Sequence, residues 1–379
     1  MKRKKKVFVY IHQCILTGGV EMVFNRILNN LPAEEYDITV LSVMGYLKDD
    51  FDAPLFRPGI KRHCMMWDEL SKTNPLRRIT QKLHNRLFPP LYKFLLRFRK
   101  YDIAIAAQEG AYADFVTDHV RADRKFLWIH NDMSVCHWTL PHFGSAEREE
   151  ECYRRFTRVI CVSDKVRQSM AGLFPQLSNL CVAYNPIDTG HIDECLTAPR
   201  PARPDAVGPW FVCVGRLADQ KGFDRLIRVC HRLQEEGHEF HVTVLGGGAD
   251  WQKLKQMLSE LHVTNISFLG HKSNPFPYIK CADWFLQTSR HEGFGLALYE
   301  AAYLETPAIT TDVAGAKELL GESEYGIVTE NSEEGIYRAM KSVLTDPILH
   351  EKYKMAIKKR SGFISLQKRI SAIRSILDM

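Results

Sequence analysis

The sequence predicts an α/β protein built from two doubly wound, Rossmann-like domains. Three observations carry this expectation. Short apolar runs alternate with stretches of helical apolar spacing through both halves of the chain. A proline-rich run, Thr197 to Pro209, separates the halves. Glycine turns lie between a strand-like run and a helical one in both halves, at Gly18-Gly19, Gly215 to Gly222 and Gly293 to Gly295. A chain of 379 residues is long for a single core. The expected division is 1–196, a linker at 197–209, 210–360, and a closing segment at 361–379.

Taken in order, Val7 to Ile11 reads as a buried strand, and Val20, Val23, Phe24, Ile27, Leu28 and Leu31 as the apolar face of the helix after it. Gly18-Gly19 therefore opens a helix after the first strand, where an open α/β sheet takes its ligand. An ordinary turn is the alternative. Strands follow at Ile38 to Val43, Ile103 to Ala107, Phe126 to Ile129, Val159 to Val162 and Leu180 to Tyr184. Ser163 and Asp164 have an N-cap pattern and read as structural. The layout restarts with Trp210 to Val214, then the loop Gly215 to Gly222 and a helix from Phe223 to Leu233. Val242 to Leu245, Ile266 to Leu269, Trp284 to Leu286 and Ala308 to Thr311 are further strands. Phe363, Ile364, Leu366, Ile370, Ile373, Ile376 and Leu377 form the apolar face of a last helix.

One segment breaks the alternation. From Lys72 to Lys100 there is no acidic residue, while basic residues from Arg77 to Arg99 interleave with leucine, isoleucine and phenylalanine. Pro89-Pro90 is expected to split it into two short helices. A basic amphipathic helix fits a membrane surface. A domain helix with its apolar face on the core and charges outward is the other reading. The basic start, Lys2 to Lys6, adds positive charge to the first possibility.

Composition sets outer bounds. The apolar fraction of 45% and charged fraction of 25% are those of a water-soluble fold. A net charge of +6 is too modest to indicate a nucleic-acid partner. No apolar run approaches the roughly 20 residues that span a bilayer, and the apolar stretch after Lys6 is too short for a signal-peptide core. The ten cysteines show neither Cys-x-x-Cys nor zinc spacing, so buried thiols in a reducing cytoplasm are expected, with no metal and no other cofactor.

The chemistry concentrates in Ser289-Arg290-His291-Glu292-Gly293-Phe294-Gly295-Leu296, followed by Glu300 in the next helix. Strand, glycine turn and helix place backbone N–H groups and a positive helix end beside an anion. Carboxylates accept hydrogen bonds side by side, which suits a vicinal diol such as that of ribose. Glu292 and Glu300 flanking amide donors thus suggest a sugar nucleotide. Two surface glutamates on a solvated connection are the alternative. Arg216 and Lys221 flank the other loop, where a guanidinium fork and an ammonium could hold phosphate oxygens or simply be solvated. His130, directly after a strand, is placed to point into a cleft between domains; a structural histidine capping the loop is the alternative. Asp132 is a weaker candidate. Gly246-Gly247-Gly248 lacks the dinucleotide spacing and is expected to be a turn, which disfavours a dehydrogenase.

The run Glu292 to Glu300 resembles the paired-glutamate motif of retaining glycosyltransferases of family 4, which have the GT-B fold. Val214-Gly215-Arg216-Leu217 with Gln220-Lys221-Gly222-Phe223-Asp224 is similar to that family's phosphate-binding segment, Gly18-Gly19-Val20-Glu21 to its N-terminal glycine loop, and Asn185-Pro186-Ile187-Asp188 to the close of its first domain. Ala314-Gly315-Ala316 departs from the Gly-Gly-Pro of many relatives.

The resemblance implies that the domains face each other across a cleft and that the last helix crosses back to the first. It also implies transfer of a sugar, with retention, from a nucleoside diphosphate, UDP being favoured, to a hydroxyl of a glycan or lipid-linked acceptor in surface-polysaccharide synthesis. Glu292, His130, Arg216 and Lys221 are then expected at the transfer. Gly18, Gly19, Gly270, His271, Lys272, Gly293, Phe294, Gly295, Leu296 and Glu300 join Arg216, Lys221 and Glu292 in donor binding, with residues 270–272 at the base. Transfer is expected to need no metal, and the enzyme to sit at the inner face of the cytoplasmic membrane through residues 72–100 and the basic start. A sugar-nucleotide epimerase of the same fold, a phosphorolytic enzyme and a non-catalytic partner subunit are the alternatives.

Overall fold

The computed structural model describes residues 3–13, 18–46, 56–68, 75–205 and 208–379. Lys2, residues 72–74, the side chains of 75–79, and Ala206-Val207 lie outside the described residues. The chain packs as two units, Met1–Pro186 with Gln367–Met379, and Ile187–Leu366.

The first unit is built on a seven-stranded sheet of order β3-β2-β1-β4-β5-β6-β7. Its strands are β1 (Lys5–Gln13), β2 (Tyr36–Tyr46), β3 (Lys61–Asp68), β4 (Lys100–Ala106), β5 (Arg121–Ile129), β6 (Arg158–Cys161) and β7 (Leu180–Val182). All neighbours pair in parallel. The central strands are continuous apolar runs because helices cover both faces. Val7, Phe8 and Val9 of β1 and Phe126, Leu127, Trp128 and Ile129 of β5 are fully buried. The helix Gly19–Asn30 buries Val23, Phe24, Ile27 and Leu28 at the expected spacing. The helix Asp164–Leu173 is capped by Ser163 Oγ, which accepts from Val166 N.

The last helix, Leu366–Asp378, belongs to this unit and buries Ile370, Ile373, Ile376 and Leu377. Polar contacts fix its position. Arg374 pairs with Glu35 at 2.5 Å, Asp378 with Lys5 at 2.5 Å and with the Tyr36 hydroxyl at 2.8 Å, and Arg369 donates to the Asn185 carbonyl.

The expected split at Pro89-Pro90 does not occur. One helix runs from Pro75 to Leu96 with both prolines inside it. Each proline leaves a carbonyl four residues back without its donor. Around them the helix lies at the surface, with Arg86, Leu87 and Pro90 exposed.

The second unit holds six parallel strands of order β10-β9-β8-β11-β12-β13. They are β8 (Trp210–Val214), β9 (His241–Leu245), β10 (Ile266–Phe268), β11 (Trp284–Gln287), β12 (Ala308–Thr311) and β13 (Ile327–Thr329). Its core joins Phe211, Leu226, Ile227, Val242, Val244, Trp284 and Ile309 with Met340 and Val343. The short helix Thr189–Cys195 lies in this unit, held by Asn274 Nδ2 donating to the Cys195 carbonyl (2.8 Å) and the Tyr303 hydroxyl to Asp193 (2.8 Å). The proline-rich run is also tied here, through Arg203 to Asp283 at 2.6 Å.

In each sheet the strand order reverses at one place, between β1 and β4 and between β8 and β11. Chains leave such neighbours in opposite directions and open a crevice at the carboxyl ends of the strands, where open α/β sheets take ligands.

Candidate active site

In the second unit, the loops after β8 and β11 meet at this reversal and are stitched together by backbone contacts. Arg290 N donates to the Gln220 carbonyl (2.8 Å), Gln220 Nε2 to the His291 carbonyl (3.1 Å) and Thr288 Oγ1 to the Lys221 carbonyl (2.9 Å). Gly222, at φ 67°, has no space for a side chain, since a Cβ would lie 2.2 Å from the Thr288 carbonyl oxygen. Arg290 grips Asp224 with two bonds of 2.8 Å, and Arg228 adds a third at 2.9 Å. Burial would raise the Asp224 carboxyl, but these two guanidinium groups outweigh it and hold it well below the usual carboxylate range.

This stitching brings Lys221 to Glu292. Lys221 Nζ donates to Glu292 Oε1 at 2.5 Å, and the Ser289 hydroxyl donates to the same oxygen at 2.6 Å. Glu292 is only 6% exposed. Arg216, on the same loop as Lys221, is exposed, and among the described residues its side chain has no carboxylate partner. Gly295 starts the helix Leu296–Tyr303 at φ 78°, and a helix start supplies amide donors and positive potential. Phe294 is buried and stacks on Tyr299 at 4.1 Å, which fixes the turn. Gly293 is buried, Leu296 half-buried and Glu300 buried, one helical turn in from Gly295.

Three further glycine contacts shape the crevice. A Cβ on Gly315 would fall 2.1 Å from the Phe294 carbonyl oxygen, so the loop after β12 packs directly on the glutamate loop despite its departure from Gly-Gly-Pro. Gly246 and Gly248 approach the Gly215 and Leu217 carbonyls equally closely, while a Cβ on Gly247 would meet nothing. The triplet is a close-approach turn against the Arg216 loop. Gly270, at φ 73°, accepts from Gly246 N through its carbonyl (2.9 Å), and His271 and Lys272 are exposed beside it.

The first unit has its own cluster at the β1/β4 reversal. Gly18 precedes the helix Gly19–Asn30, with Glu21 buried in its first turn. His130 follows β5. Its ring bonds to the Ala107 backbone, and its Nε2 is out of solvent with no hydrogen-bond partner. Burial pushes the imidazole down to about 4, against the Ala107 bond, which raises it. The ring is therefore neutral at pH 7, with the proton on the nitrogen that donates to Ala107 and a lone pair on Nε2.

The sequence reading passed over Glu109, the residue that organises this cluster. It is fully buried after β4 and accepts from His130 N (3.0 Å), Asn131 Nδ2 (2.7 Å) and Trp138 Nε1 (3.3 Å). Burial raises its carboxyl, and these donors oppose the shift. The signal was an acid two residues past the apolar run Ile103 to Ala107 and just before Gly110, close to the placement that singled out His130 after its own strand. Asp132 is turned to structure, accepting from Ser134 N and Oγ at 3.1 and 2.6 Å.

No group of three or more His, Cys, Asp or Glu side chains among the described residues could hold a metal. No helix among them is long and apolar enough to cross a membrane. Of the nine described cysteines, all are free and only Cys136 is exposed.

Two parallel Rossmann-like sheets with a cation- and carboxylate-lined crevice at one reversal define a nucleotide-binding class of α/β protein. Comparison with known proteins narrows it. The family model for glycosyl transferases group 1 matches residues 201–360, and that for glycosyltransferase family 4 matches residues 17–191. The chain belongs to the family-4, group 1 glycosyltransferases of the GT-B fold.

Among solved structures it resembles HepE of Anabaena in complex with UDP and glucose, at TM-score 0.72 and 16% identity over 99% of both chains. It also resembles a sucrose-phosphate synthase of Thermosynechococcus elongatus, at TM-score 0.76 and 13% identity over 98% of both chains. Among curated proteins it is 29% identical over 184 residues to an N-acetylgalactosaminyltransferase of Campylobacter jejuni named for a diphospho-undecaprenol-linked substrate, covering 48% of each chain. It is 28% identical over 142 residues to the capsular glycosyltransferase CapM of Staphylococcus aureus, covering 36% of this chain and 37% of that one. The matched stretch spans about half or less of these curated relatives.

Proposed function

We propose that this protein transfers a sugar from a nucleoside diphosphate, with UDP the favoured carrier, to a hydroxyl of a glycan or lipid-linked acceptor in the synthesis of a cell-surface polysaccharide. The observation that carries this reading is the meeting of Lys221 and Glu292 beside the Gly295 helix start at the β8/β11 reversal, with Arg216 on the same loop as Lys221. Concentrated negative charge on a departing diphosphate calls for two cations and amide donors in place before the bond breaks. Arg216 and Lys221 take phosphate oxygens, and the amides after Gly295 take the rest. Glu300 holds the ribose diol. The open backbone at Gly270, His271 and Lys272 receives the base, and Gly18-Gly19 approaches the donor phosphates.

Glu292 orients the sugar and moderates Lys221. Its ion pair holds the ammonium in place for an incoming phosphate. His130, neutral with a lone pair on Nε2, accepts a hydrogen bond from a sugar hydroxyl. Retention fits a front-face route in which the departing phosphate takes the acceptor proton, since Glu292 is already engaged by Lys221 and Ser289 and is poorly placed to act as a nucleophile. With two cations and a helix end on the diphosphate, the transfer runs without a metal.

The supporting names are those of relatives: UDP and glucose in HepE, a lipid-diphosphate substrate in the Campylobacter protein, capsule synthesis for CapM. The test is incubation with a panel of nucleotide sugars and undecaprenyl-diphosphate saccharides, with and without EDTA, reading released nucleotide and the anomeric configuration of the product by NMR. Transfer with retention that survives EDTA is expected. Inverted product, or a free epimerised sugar without acceptor, overturns the reading.

A further inference from the structure

The loop after β5 is pinned from beneath by two buried carboxylates, and one large aromatic residue between the pins is left at the surface. Trp138 is 41% exposed, while the residues on either side of it, His137 and Thr139, are both held by Glu149. Glu149 lies on the helix Ala146–Arg154 and is fully buried. It accepts from His137 Nε2 at 2.7 Å and from Thr139 Oγ1 at 2.6 Å. Tyr153, four residues further on and so on the same face of that helix, donates to Glu149 Oε1 at 2.6 Å and accepts from Gly110 N at 3.3 Å. Burial and the Glu149 charge push the Tyr153 phenol well up, so it keeps its proton and stays a donor.

The indole is fixed directly as well. Its Nε1 donates to Glu109 Oε1 at 3.3 Å, the same oxygen that takes Asn131 Nδ2 at 2.7 Å. Its six-membered ring backs onto Gly110, at φ 79°, where a Cβ would lie 3.4 Å from Trp138 Cη2 and 3.1 Å from Thr139 Cγ2. Isolated apolar residues on a surface are ordinary, and an exposed indole usually turns its N–H to water. This one spends its N–H on a buried carboxylate, so the part it shows to solvent is the apolar ring. Asn131 stands at its edge. A carboxylate only accepts, so the nitrogen of the Asn131 amide faces Glu109. That leaves Asn131 Oδ1 as an acceptor with no partner among the described residues.

We infer that Trp138 is the platform on which a sugar ring of the acceptor stacks, so that the acceptor presents a pyranose and not an open-chain polyol or a bare lipid phosphate, with Glu109 and Glu149 positioning the indole. This rests on the transfer reading and narrows its acceptor. A pyranose carries hydroxyls around its rim and C–H bonds across a face. The C–H face matches the open side of the indole, and a rim hydroxyl donates to Asn131 Oδ1. A polyol chain offers hydroxyls but no flat apolar face. The platform stands on the loop that begins at His130, at the carboxyl end of β5, the strand beside the β1/β4 reversal where an open sheet takes ligands. Stacking holds only at a set ring orientation, and ordering a free side chain on binding costs entropy. The bonds to Glu109 and Glu149 set that orientation in advance. A tryptophan retained only for packing would need its N–H satisfied, but it would not be left with its ring in solvent while both chain neighbours are tied down.

The test reads acceptor binding without requiring turnover. Saturation-transfer NMR is run on the full chain with the methyl glycosides of glucose, galactose, N-acetylglucosamine and N-acetylgalactosamine, and with sorbitol as the open-chain control. At least one pyranoside should be saturated, chiefly at the C–H protons of one ring face, and sorbitol should not. Trp138→Ala should weaken that binding by about tenfold, and Trp138→Phe, which keeps a ring, should restore most of it. Glu149→Gln should weaken it by about tenfold as well. Nucleoside diphosphate affinity, measured by isothermal titration, should be unchanged in all three variants. In the transfer assay Trp138→Ala should raise the acceptor KM by about tenfold and leave the donor KM alone. The inference is overturned if nucleotide binds but no pyranoside does, if sorbitol is saturated as the pyranosides are, or if Trp138→Ala responds as the native protein does. A parallel fall in nucleotide affinity for Glu149→Gln would make that residue a support of the fold and overturn its positioning role. Failure of the native protein to bind any nucleoside diphosphate is the separate result that overturns the transfer reading, and this inference with it.

Discussion

Replacing Lys221 with methionine keeps the length of the side chain and removes the ammonium that faces Glu292 at 2.5 Å. Glu292 then retains only the Ser289 hydroxyl on that oxygen, while remaining 6% exposed. Breaking a fully buried pair costs about 3–5 kcal/mol, and leaving a charged group short of one partner at least about 1–3. The Lys221 side chain is 24% exposed, so the pair is partly wet and the lower figure applies. About 2 kcal/mol corresponds to a fall in Tm of roughly 4–8 °C for a domain of this size. Adding Glu292→Gln to Lys221→Met removes the stranded charge and should recover most of that loss. The assay is thermal unfolding of the native protein, both single variants and the double variant, closed as a double-mutant cycle.

The same set reads the binding role. Lys221→Met should weaken nucleoside diphosphate by about tenfold to a hundredfold, the worth of one charge-assisted bond. Glu292→Gln should not weaken it, because Lys221 is released to the phosphate, while turnover falls. If Lys221→Met melts at the native temperature and the double variant is merely additive, the pair does not form in solution and the assignment of both residues fails.

Three other outcomes follow from the geometry. Gly315→Ala places a Cβ 2.1 Å from the Phe294 carbonyl at φ 83°, and Gly246→Ala places one 1.8 Å from the Gly215 carbonyl; each should cost about 2 kcal/mol or more by chemical denaturation, while Gly247→Ala should be near neutral. His130 accepts its proton only near 4 in the folded chain but near its ordinary 6.5 when unfolded, so protons favour the unfolded state between those values. Its contribution is present above pH 6.5 and is lost as the pH falls toward 4, and His130→Gln should flatten that part of the stability profile measured by urea unfolding. Glu109→Gln keeps the acceptor for Asn131 but changes what faces His130 N, and the transfer proposal expects a larger fall in kcat than in nucleotide affinity.

Much of the candidate site was legible because its residues lie in sequence-local turns. Arg216, Lys221, Glu292, Gly295 and Glu300 stand beside glycines that follow apolar runs, and such runs become the central parallel strands of a doubly wound sheet. What was missed lies at edges or depends on distant packing. β3 and β13 are edge strands, and β3 opens on Lys61 and Arg62, so neither shows a long apolar run. Glu109 gains its importance from donors some twenty residues away. The helix Thr189–Cys195 looks like the end of the first half by sequence position, yet its carbonyl and carboxylate partners, Asn274 and Tyr303, lie in the second unit. The prolines at 89 and 90 were read by their usual effect on a buried helix, and a surface turn tolerates them.

The central claim is that the crevice at the β8/β11 reversal holds the donor diphosphate. The most direct measurement is isothermal titration of UDP, GDP and ADP into the native protein and into Arg216→Ala, Lys221→Met and Glu300→Gln, in buffer containing EDTA. One diphosphate is expected to bind the native protein, with each variant weakened by about tenfold or more. Equal binding across all four proteins, or none to the native one, would contradict the account.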